Sequence, residues 1–109
     1  MAPTRTMTLR RRTRRTGLAP ADVILAQSDE LAVGVLTICE RLGPRVPEDV
    51  ALTGWDDSAA AERAGLTTVR QSLFDQGRLC AALALGVPGP APTEAMRWSI
   101  VTRRSTGKV

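Results

Sequence analysis

Residues 22–57 read DVILAQSDELAVGVLTICERLGPRVPEDVALTGWDD, and the pattern of this stretch decides the fold. The apolar run 22–27 is rich in β-branched residues, which is typical of a parallel strand buried on both faces. Apolar residues then recur at helical spacing over 29–42, and Gly43-Pro44 ends the helix. A second apolar run covers 50–54. A strand, a helix and another strand predict a parallel βαβ unit with a right-handed crossover, and therefore an α/β fold.

The rest of the chain alternates short helix and strand patterns. In order, they predict a helix over 59–64 between Ser58 and Gly65, a strand over 66–71, an amphipathic helix over 73–85 ended by Gly86, a Pro/Gly-rich linker over 87–92 and a strand over 96–102. No internal repeat is present, which excludes a solenoid.

The positive charge of the chain is concentrated at its N-terminus. Six of the fifteen basic side chains lie within Met1–Gly17, which holds no acidic residue, so residues 18–109 carry nine basic and eleven acidic side chains. A block of like charges without apolar periodicity is typical of a disordered segment. We therefore divide the chain into a basic leader over 1–17 and one small domain over 18–109.

Residue types that hold metals or perform nucleophilic catalysis are scarce. The chain has no histidine, and its two cysteines, Cys39 and Cys80, lie apart in apolar helical stretches. We therefore predict buried, reduced thiols, no metal site and no cofactor. No Ser/His/Asp or Cys/His arrangement can form without histidine, and adjacent carboxylates such as Asp56 and Asp57 point in different directions. We expect that the protein is not an enzyme.

Membrane targeting is not indicated either. No apolar run approaches the ~20 residues of a membrane span, and the Arg-rich start lacks the apolar segment of a secretory signal. We expect a cytoplasmic protein without a membrane partner.

Polar residues follow both strands of the predicted βαβ unit. The first strand ends in Gln27-Ser28-Asp29 and the second in Trp55-Asp56-Asp57. Ligands of open α/β sheets bind beyond the carboxyl ends of parallel strands, where carboxylates can accept hydroxyl hydrogens and a Trp can stack on a sugar ring. We therefore predict that Ser28, Asp29, Trp55 and Asp56 are effector-binding residues. The alternative is that Ser28 and Asp29 only cap the following helix, and that Asp56 or Asp57 only organises the turn.

Three segments, in this order, are similar to successive signatures of one protein family: AQSDELAVGVL at 26–36, RVPEDVALTGWDD at 45–57 and LTTVRQ at 66–71. The ending RSTG at 104–107 resembles the usual tail of that family. On these residues the chain resembles the LacI/GalR, or lactose-repressor-type, family of bacterial transcription regulators.

The resemblance implies part of a sensor lobe with the periplasmic-binding-protein-like fold. Regulators of this family join an N-terminal helix-turn-helix to a two-lobed sensor, and a small effector, here expected to be a sugar, lies between the lobes. By resemblance, four positions contact the effector. Asp56 stands where the family has its effector-binding acid, and Ser28 stands where Asn is common. Trp55 stands where Tyr or Phe is common, and Leu73 where a larger apolar residue is frequent. Ser28 lacks the side-chain amide of Asn, which both donates and accepts hydrogen bonds, so this position can recognise a different arrangement of effector hydroxyls. The helix over 29–42 would supply much of a homodimer face, with Val33 near its centre.

The expected function is therefore effector sensing and dimerisation in the context of a full-length regulator, with DNA bound only through a helix-turn-helix that this sequence does not contain. The leader over 1–17 matches nothing in the family that we can name. It is the start of a truncated reading frame read out of register, a divergent helix before the first strand, or a basic DNA-binding tail. If the leader is a basic DNA-binding tail, the alternative function is that of a small nucleic-acid-binding protein.

The helix over 73–85 has no assigned burial partner. In the family the chain crosses between lobes after the LTTVRQ motif, so this helix would pack on the other lobe. We expect the 109-residue chain to expose it and to be marginally stable.

Overall fold

The computed structural model describes residues 20–107, so the predicted leader over 1–17 lies outside the described residues. The elements follow in the order β1 (Val23–Leu25), α1 (Asp29–Leu42), β2 (Ala51–Thr53), α2 (Ala59–Ala64), β3 (Thr68–Gln71), α3 (Leu73–Leu85), α4 (Pro92–Ala95), β4 (Trp98–Val101) and a 3-10 turn (Arg104–Thr106). Helices α1, α2 and α3 have the predicted bounds, and each strand is two or three residues shorter than predicted. Helix α4 and the 3-10 turn were not predicted.

Hydrogen bonds at both ends explain the sharp limits of α1. The Ser28 hydroxyl accepts the N–H of Leu31 at 3.1 Å, which caps the N-terminus. At the other end Gly43 adopts a φ of 103° and its N–H donates to the carbonyl of Cys39 at 2.8 Å. Such a left-handed residue is the usual end of a helix and favours glycine.

The four strands lie side by side as two pairs. Strands β1 and β2 are parallel, with Val23 opposite Ala51, and this confirms the predicted βαβ unit. Strands β3 and β4 are antiparallel, with Gln71 opposite Trp98. Two parallel bridges, Thr53 to Thr67 and Asp56 to Arg70, connect the pairs through β2 and β3.

The core lies between one face of this sheet and helices α1 and α2. Its fully buried residues are Ala32, Leu52, Ala61 and Leu66. Ile24 of β1 and Val33 of α1 pack against this cluster and are partly buried. Small and aliphatic side chains therefore fill the core, as the scarcity of aromatic residues in the sequence requires.

The prediction that β1 is buried on both faces is wrong. Ile24 points to the core, but Leu25 is 73% exposed and Val23 is also exposed. Neighbouring residues of a strand point to opposite faces, and within residues 20–107 the helices α1 and α2 cover only one of them. The apolar composition of residues 22–27 therefore did not show whether helices cover both faces of the strand or only one.

The two cysteines have different surroundings. Cys39 on α1 is buried, and burial raises the pKa of its thiol. Cys80 on α3 is exposed, so the prediction that both thiols are buried is wrong for Cys80. The cause is the exposure of α3, whose residues Leu73, Phe74, Leu83 and Leu85 all lie at the surface, as expected for this helix.

Candidate functional site

The polar residues after β1 and β2 meet, as the parallel pairing requires. The N–H of Asp29 donates to the carbonyl of Trp55 at 3.0 Å, and the N–H of Ala26 donates to the carbonyl of Thr53 at 3.0 Å. The segments that follow the two strands are thus joined by backbone hydrogen bonds. The carboxyl edge of the sheet brings Ser28, Asp29, Trp55 and Asp56 into one neighbourhood.

Asp29 lies beneath this edge and is only 2% exposed. Its Oδ1 accepts the hydroxyl of Thr68 at 2.7 Å, and its Oδ2 accepts the N–H of Ser58 at 2.6 Å. A Cβ on Gly54 would collide with Asp29 Oδ1, so glycine is required where β2 passes this carboxylate. Asp29 therefore ties α1, β3 and the start of α2 together.

Ser28 has the capping role that the sequence left open as an alternative. Its hydroxyl oxygen accepts the N–H of Leu31, as described above. The hydroxyl hydrogen is still available as a donor, because a hydroxyl has one donor and two acceptor positions.

Asp56 and Asp57 have an unusual backbone. Their φ angles are 104° and 54°, and they are the non-glycine residues with positive φ within 20–107. Such conformations cost on the order of 1–3 kcal/mol each and persist where surrounding contacts fix them. Here the N–H of Asp56 donates to the carbonyl of Val69 at 2.9 Å. The N–H of Asp57 donates to the hydroxyl of Thr68 at 3.3 Å.

The carboxylate of Asp57 turns towards two arginines. Its Oδ2 accepts from Arg70 Nε at 2.8 Å and its Oδ1 from Arg103 Nη2 at 2.9 Å, while the side chain is 11% exposed. Burial by itself would raise the pKa of Asp57, but the hydrogen bonds from Arg70 and Arg103 outweigh it and lower that pKa below its ordinary value. Asp57 is thus an ionised structural anchor of the turn.

The carboxylate of Asp56 takes a different direction. Its Oδ1 accepts from Gln71 Nε2 at 2.8 Å, and Gln71 Oε1 in turn accepts from Gln76 Nε2 of α3 at 3.4 Å. Within residues 20–107 Asp56 Oδ2 has no hydrogen-bond partner, and the residue is partly exposed. Asp56 therefore presents one positioned acceptor oxygen at the sheet edge.

Two tryptophans contact each other: Trp55 precedes Asp56 in the chain, and Trp98 lies opposite Gln71 in the β3–β4 ladder. The rings of Trp55 and Trp98 are 5.6 Å apart between centroids and inclined by 83°, an edge-to-face arrangement. Trp55 is partly buried and Trp98 is 55% exposed. The sequence analysis did not find Gln71 or Trp98, because the antiparallel return of β4 beside β3 leaves no local signal that could have paired them.

The last two predicted positions lie elsewhere. Leu73 is the first residue of α3, two positions after Gln71, and it is exposed. Val33 packs against the core cluster, whereas Leu31, Ile38 and Leu42 are the exposed apolar residues of α1. Residues 31, 38 and 42 share one side of a helix, and residue 33 lies on another.

Residues 103–107, which follow β4, form hydrogen bonds with the strands and the turn that carry the candidate site. The Ser105 hydroxyl donates to the carbonyl of Leu52 at 2.6 Å and accepts the N–H of Thr67 at 2.8 Å. Arg103 N–H donates to the Thr67 hydroxyl at 2.8 Å, and its guanidinium reaches Asp57. Arg103 and the RSTG ending together therefore fix β2, β3 and the aspartate turn to one another.

A separate cavity of about 520 Å³ opens at the other end of α1. Its lining carries charges of both signs and consists of Leu36, Cys39, Glu40, Pro44, Arg45, Val46, Glu48, Arg63, Ala64 and Arg104. It shares no residue with the predicted site. Arg45 within it is paired with Asp49 at 3.1 Å, which raises the pKa of Arg45.

Residues 20–107 contain no group of three His, Cys, Asp or Glu side chains that could hold a metal ion. None of their helices has the length and apolar character needed to cross a membrane.

A βαβ lobe with polar residues gathered at the carboxyl ends of its parallel strands defines a class, the α/β ligand-binding lobes. The sequence profile of the periplasmic binding protein-like domain matches residues 2–106. The chain therefore belongs to the periplasmic binding protein-like family, as the LacI/GalR resemblance implied. The match begins at residue 2 and so includes most of the leader, for which we had expected no counterpart; the division at residue 17 stays a prediction.

The relatives are bacterial transcription regulators. An uncharacterised HTH-type transcriptional regulator of Bacillus subtilis, YvdE, is 45% identical over 53% of this chain and 19% of its own length. The HTH-type transcriptional regulator CelR of Thermobifida fusca is 37% identical over 74% of this chain and 24% of its own. A LacI family transcriptional regulator from Lactobacillus casei, solved with bound sucrose, has a TM-score of 0.65 and 32% identity over 82% of this chain and 36% of that one.

These matches confirm the resemblance to the LacI/GalR family and the predicted α/β, periplasmic-binding-protein-like fold. The chain spans roughly a fifth to a quarter of the curated relatives and about a third of the solved one. It corresponds to part of a sensor domain in a LacI-type regulator.

Proposed function

We propose that this chain is the effector-sensing and dimer-forming segment of a LacI/GalR-type transcription regulator, and that its effector is sugar-like. In this proposal the regulator acts in the cytoplasm and performs no catalysis. Its DNA contact is made by a helix-turn-helix outside the 109 residues. The L. casei relative with bound sucrose supports the choice of a sugar.

The observation that carries the proposal is the strained Asp56–Asp57 turn at the end of β2. Two consecutive aspartates hold positive φ angles, and one of them, Asp57, is fixed by two arginines. That arrangement leaves Asp56 at the sheet edge with Oδ1 oriented by Gln71 and Oδ2 without a partner within residues 20–107. Strain of this kind is concentrated at ligand-binding sites.

The chemistry of the edge suits a polyhydroxylated ligand. A carboxylate accepts hydroxyl hydrogens, and the Ser28 hydroxyl can donate one. Trp55 and Leu73 offer apolar surface for the carbon face of a sugar. Asp29 belongs to the site as a supporting residue, because both of its oxygens already bind Thr68 and Ser58.

The proposed dimer face is the exposed apolar side of α1. It is formed by Leu31, Gly34, Ile38 and Leu42. Val33, expected near the centre of the interface, packs against the core instead, so we place it beside the interface rather than within it. A contiguous apolar surface of this kind on a helix is a typical protein contact.

Calorimetric titration of a full-length regulator that contains this chain, with sucrose, ribose and cellobiose, tests the effector site. Asp56→Ala should weaken the binding of the responding sugar by roughly ten- to a hundredfold, because hydrogen bonds to charged groups contribute about 1.5–3 kcal/mol. Asp75→Ala, which removes an exposed carboxylate of α3, is the matched control and should leave affinity unchanged. Equal affinities of both variants would remove Asp56 from the site, and no binding of any sugar would contradict a sugar effector.

The alternative function is nucleic-acid binding through the six arginines of Met1–Gly17. A gel-shift experiment with the whole chain and with residues 18–109 separates the two functions. Binding by the whole chain that is lost in 18–109 and weakens steeply with salt would favour the alternative.

A further inference from the structure

Trp98 is an exposed aromatic residue opposite Gln71, whose amide donates to the candidate acceptor Asp56. We propose that Trp98 is the aromatic platform of the effector site, on which the carbon face of a pyranose ring stacks while Asp56 accepts its hydroxyl hydrogens. The inference rests on the proposed function and names the residue that would select a ring-shaped sugar.

The register of the sheet brings Trp98 to this place. Trp98 lies opposite Gln71 in the β3–β4 ladder, and the Gln71 amide donates to Asp56 Oδ1 at 2.8 Å. One residue of β3 therefore separates the indole from the carboxylate. Neighbouring strands are about 4.8 Å apart, so two strand spacings, about 10 Å, separate the backbones of Asp56 and Trp98. Both side chains can therefore reach one sugar ring that lies across β3.

Trp55 was expected to stack on the ligand, but the structure favours Trp98 for this role. Trp55 is partly buried and its ring meets that of Trp98 edge to face at 5.6 Å. Trp98 retains 55% of its surface, so the open aromatic area of the pair belongs to β4. Trp55 acts as the support that fixes the orientation of the Trp98 ring.

An apolar protein partner would explain the exposed indole less well than a sugar does. Covering Trp98 with such a partner would also enclose Asp56, whose Oδ2 has no hydrogen-bond partner within residues 20–107. Burial of an unpaired carboxylate oxygen is costly. A sugar presents C–H groups to the indole and hydroxyls to the carboxylate, and so satisfies both side chains at once.

Tryptophan fluorescence tests the proposal, because Trp55 and Trp98 are the two tryptophans of the chain and tyrosine is absent. In the variant Trp55→Phe, Trp98 is the remaining tryptophan, and its emission should change on titration with glucose, cellobiose or sucrose. The affinity of the responding sugar should fall about tenfold in Trp98→Leu, which corresponds to 1.4 kcal/mol. It should fall less in Trp98→Phe, which keeps an aromatic ring.

Ile100→Ala is the matched control, since Ile100 lies two residues along the same strand, faces the same side and is 75% exposed. It should bind the sugar as the unaltered chain does. Far-UV circular dichroism of all variants checks that the fold is retained. An affinity of Trp98→Leu equal to that of Ile100→Ala would overturn the proposal.

Asp56→Ala separates the proposal that Trp98 is the aromatic platform from the proposal that the effector binds at this edge of the sheet. If Asp56→Ala loses affinity and Trp98→Leu does not, the platform is wrong and the proposed effector site stands. If no sugar binds to the unaltered chain, both proposals are overturned. A loss in both variants with the control unchanged supports both.

Discussion

Two adjacent aspartates divide the work at the sheet edge. Asp57 is turned inward to Arg70 and Arg103, and Asp56 is left at the edge with Gln71. The sequence already implies that two adjacent side chains point in different directions, but it does not show which of the two faces the arginines; the backbone with positive φ at both residues determines this. The stability of the turn therefore depends on the charge of Asp57, whereas Asp56 is the side chain that we propose for ligand binding.

The first prediction at the residue scale concerns the pH dependence of stability. Because the pKa of Asp57 in the folded chain lies below its ordinary value near 3.8, its stabilisation is fully present above about pH 4 and is lost as the pH falls through the folded-state pKa. Asp57→Asn should lower the free energy of unfolding at neutral pH by about 1–3 kcal/mol. Urea denaturation at several pH values should show this difference narrowing below about pH 4.

Asp75→Asn is the control for that series. Asp75 forms an exposed pair with Arg78, and such surface pairs contribute about 0–1 kcal/mol. A difference between the unaltered chain and Asp57→Asn that stays constant down to acid pH would contradict the anchoring role.

The second residue-scale prediction concerns the close approach of β2 to Asp29. A Cβ on Gly54 would collide with Asp29 Oδ1 and lie 3.2 Å from Asp29 Cα, which is too close. Gly54→Ala should destabilise the fold by about 1–3 kcal/mol, measured by chemical denaturation. Gly77→Ala on α3, where nothing lies within 4 Å of the added Cβ, should stabilise it by about 0.5–1 kcal/mol. An unchanged free energy of unfolding in Gly54→Ala would show that Asp29 can shift to accept the added Cβ without loss of stability, and would contradict this prediction.

At the scale of elements, the sequence predicts the helices better than the sheet. Ser28, Gly43 and Gly86 are local signals, so the limits of α1 and α3 follow from neighbouring residues. The burial of β1 and the pairing of β4 with β3 depend on residues distant in the chain, which no local pattern contains. For the same reason the sequence predicts Asp56 and Trp55 as site residues but does not single out Gln71 or Trp98.

The prediction for elements concerns the exposed apolar side of α1. Ile38→Asp should lower the mass seen by sedimentation velocity if this side forms the dimer, since a charge in an apolar interface is unfavourable. Thr37→Asp adds the same charge at an exposed position on another side of the helix and should leave the mass unchanged. Equal masses for both variants, with a dimer retained, would place the interface elsewhere.

At the scale of the whole molecule, apolar surface is unevenly distributed. The core beneath α1 and α2 is small, while α3 exposes Phe74, Leu83 and Leu85. Each Leu-sized side chain left unburied withholds about 1.5–3 kcal/mol, which is large against a usual total of about 5–15 kcal/mol. The 109-residue chain should therefore be marginally stable.

The corresponding prediction is that the chain self-associates through α3. It should bind a hydrophobic dye and sediment with a mass that rises with concentration. The double substitution Leu83→Lys and Leu85→Lys should reduce dye binding and association. A monomer that binds no dye and melts cooperatively above about 60 °C would show that the exposed residues of α3 cost little.

Mapping of amide chemical shifts in a nuclear magnetic resonance titration would show whether the effector binds at the carboxyl ends of β1 and β2. With sucrose, ribose or cellobiose, we expect the largest changes in residues 54–58 and at Gln71 and Trp98, and we expect Asp56→Ala to abolish them. Changes centred instead on residues 44–48 and on Arg63, around the 520 Å³ cavity at the other end of α1, would show that the effector binds there and not at the strand ends.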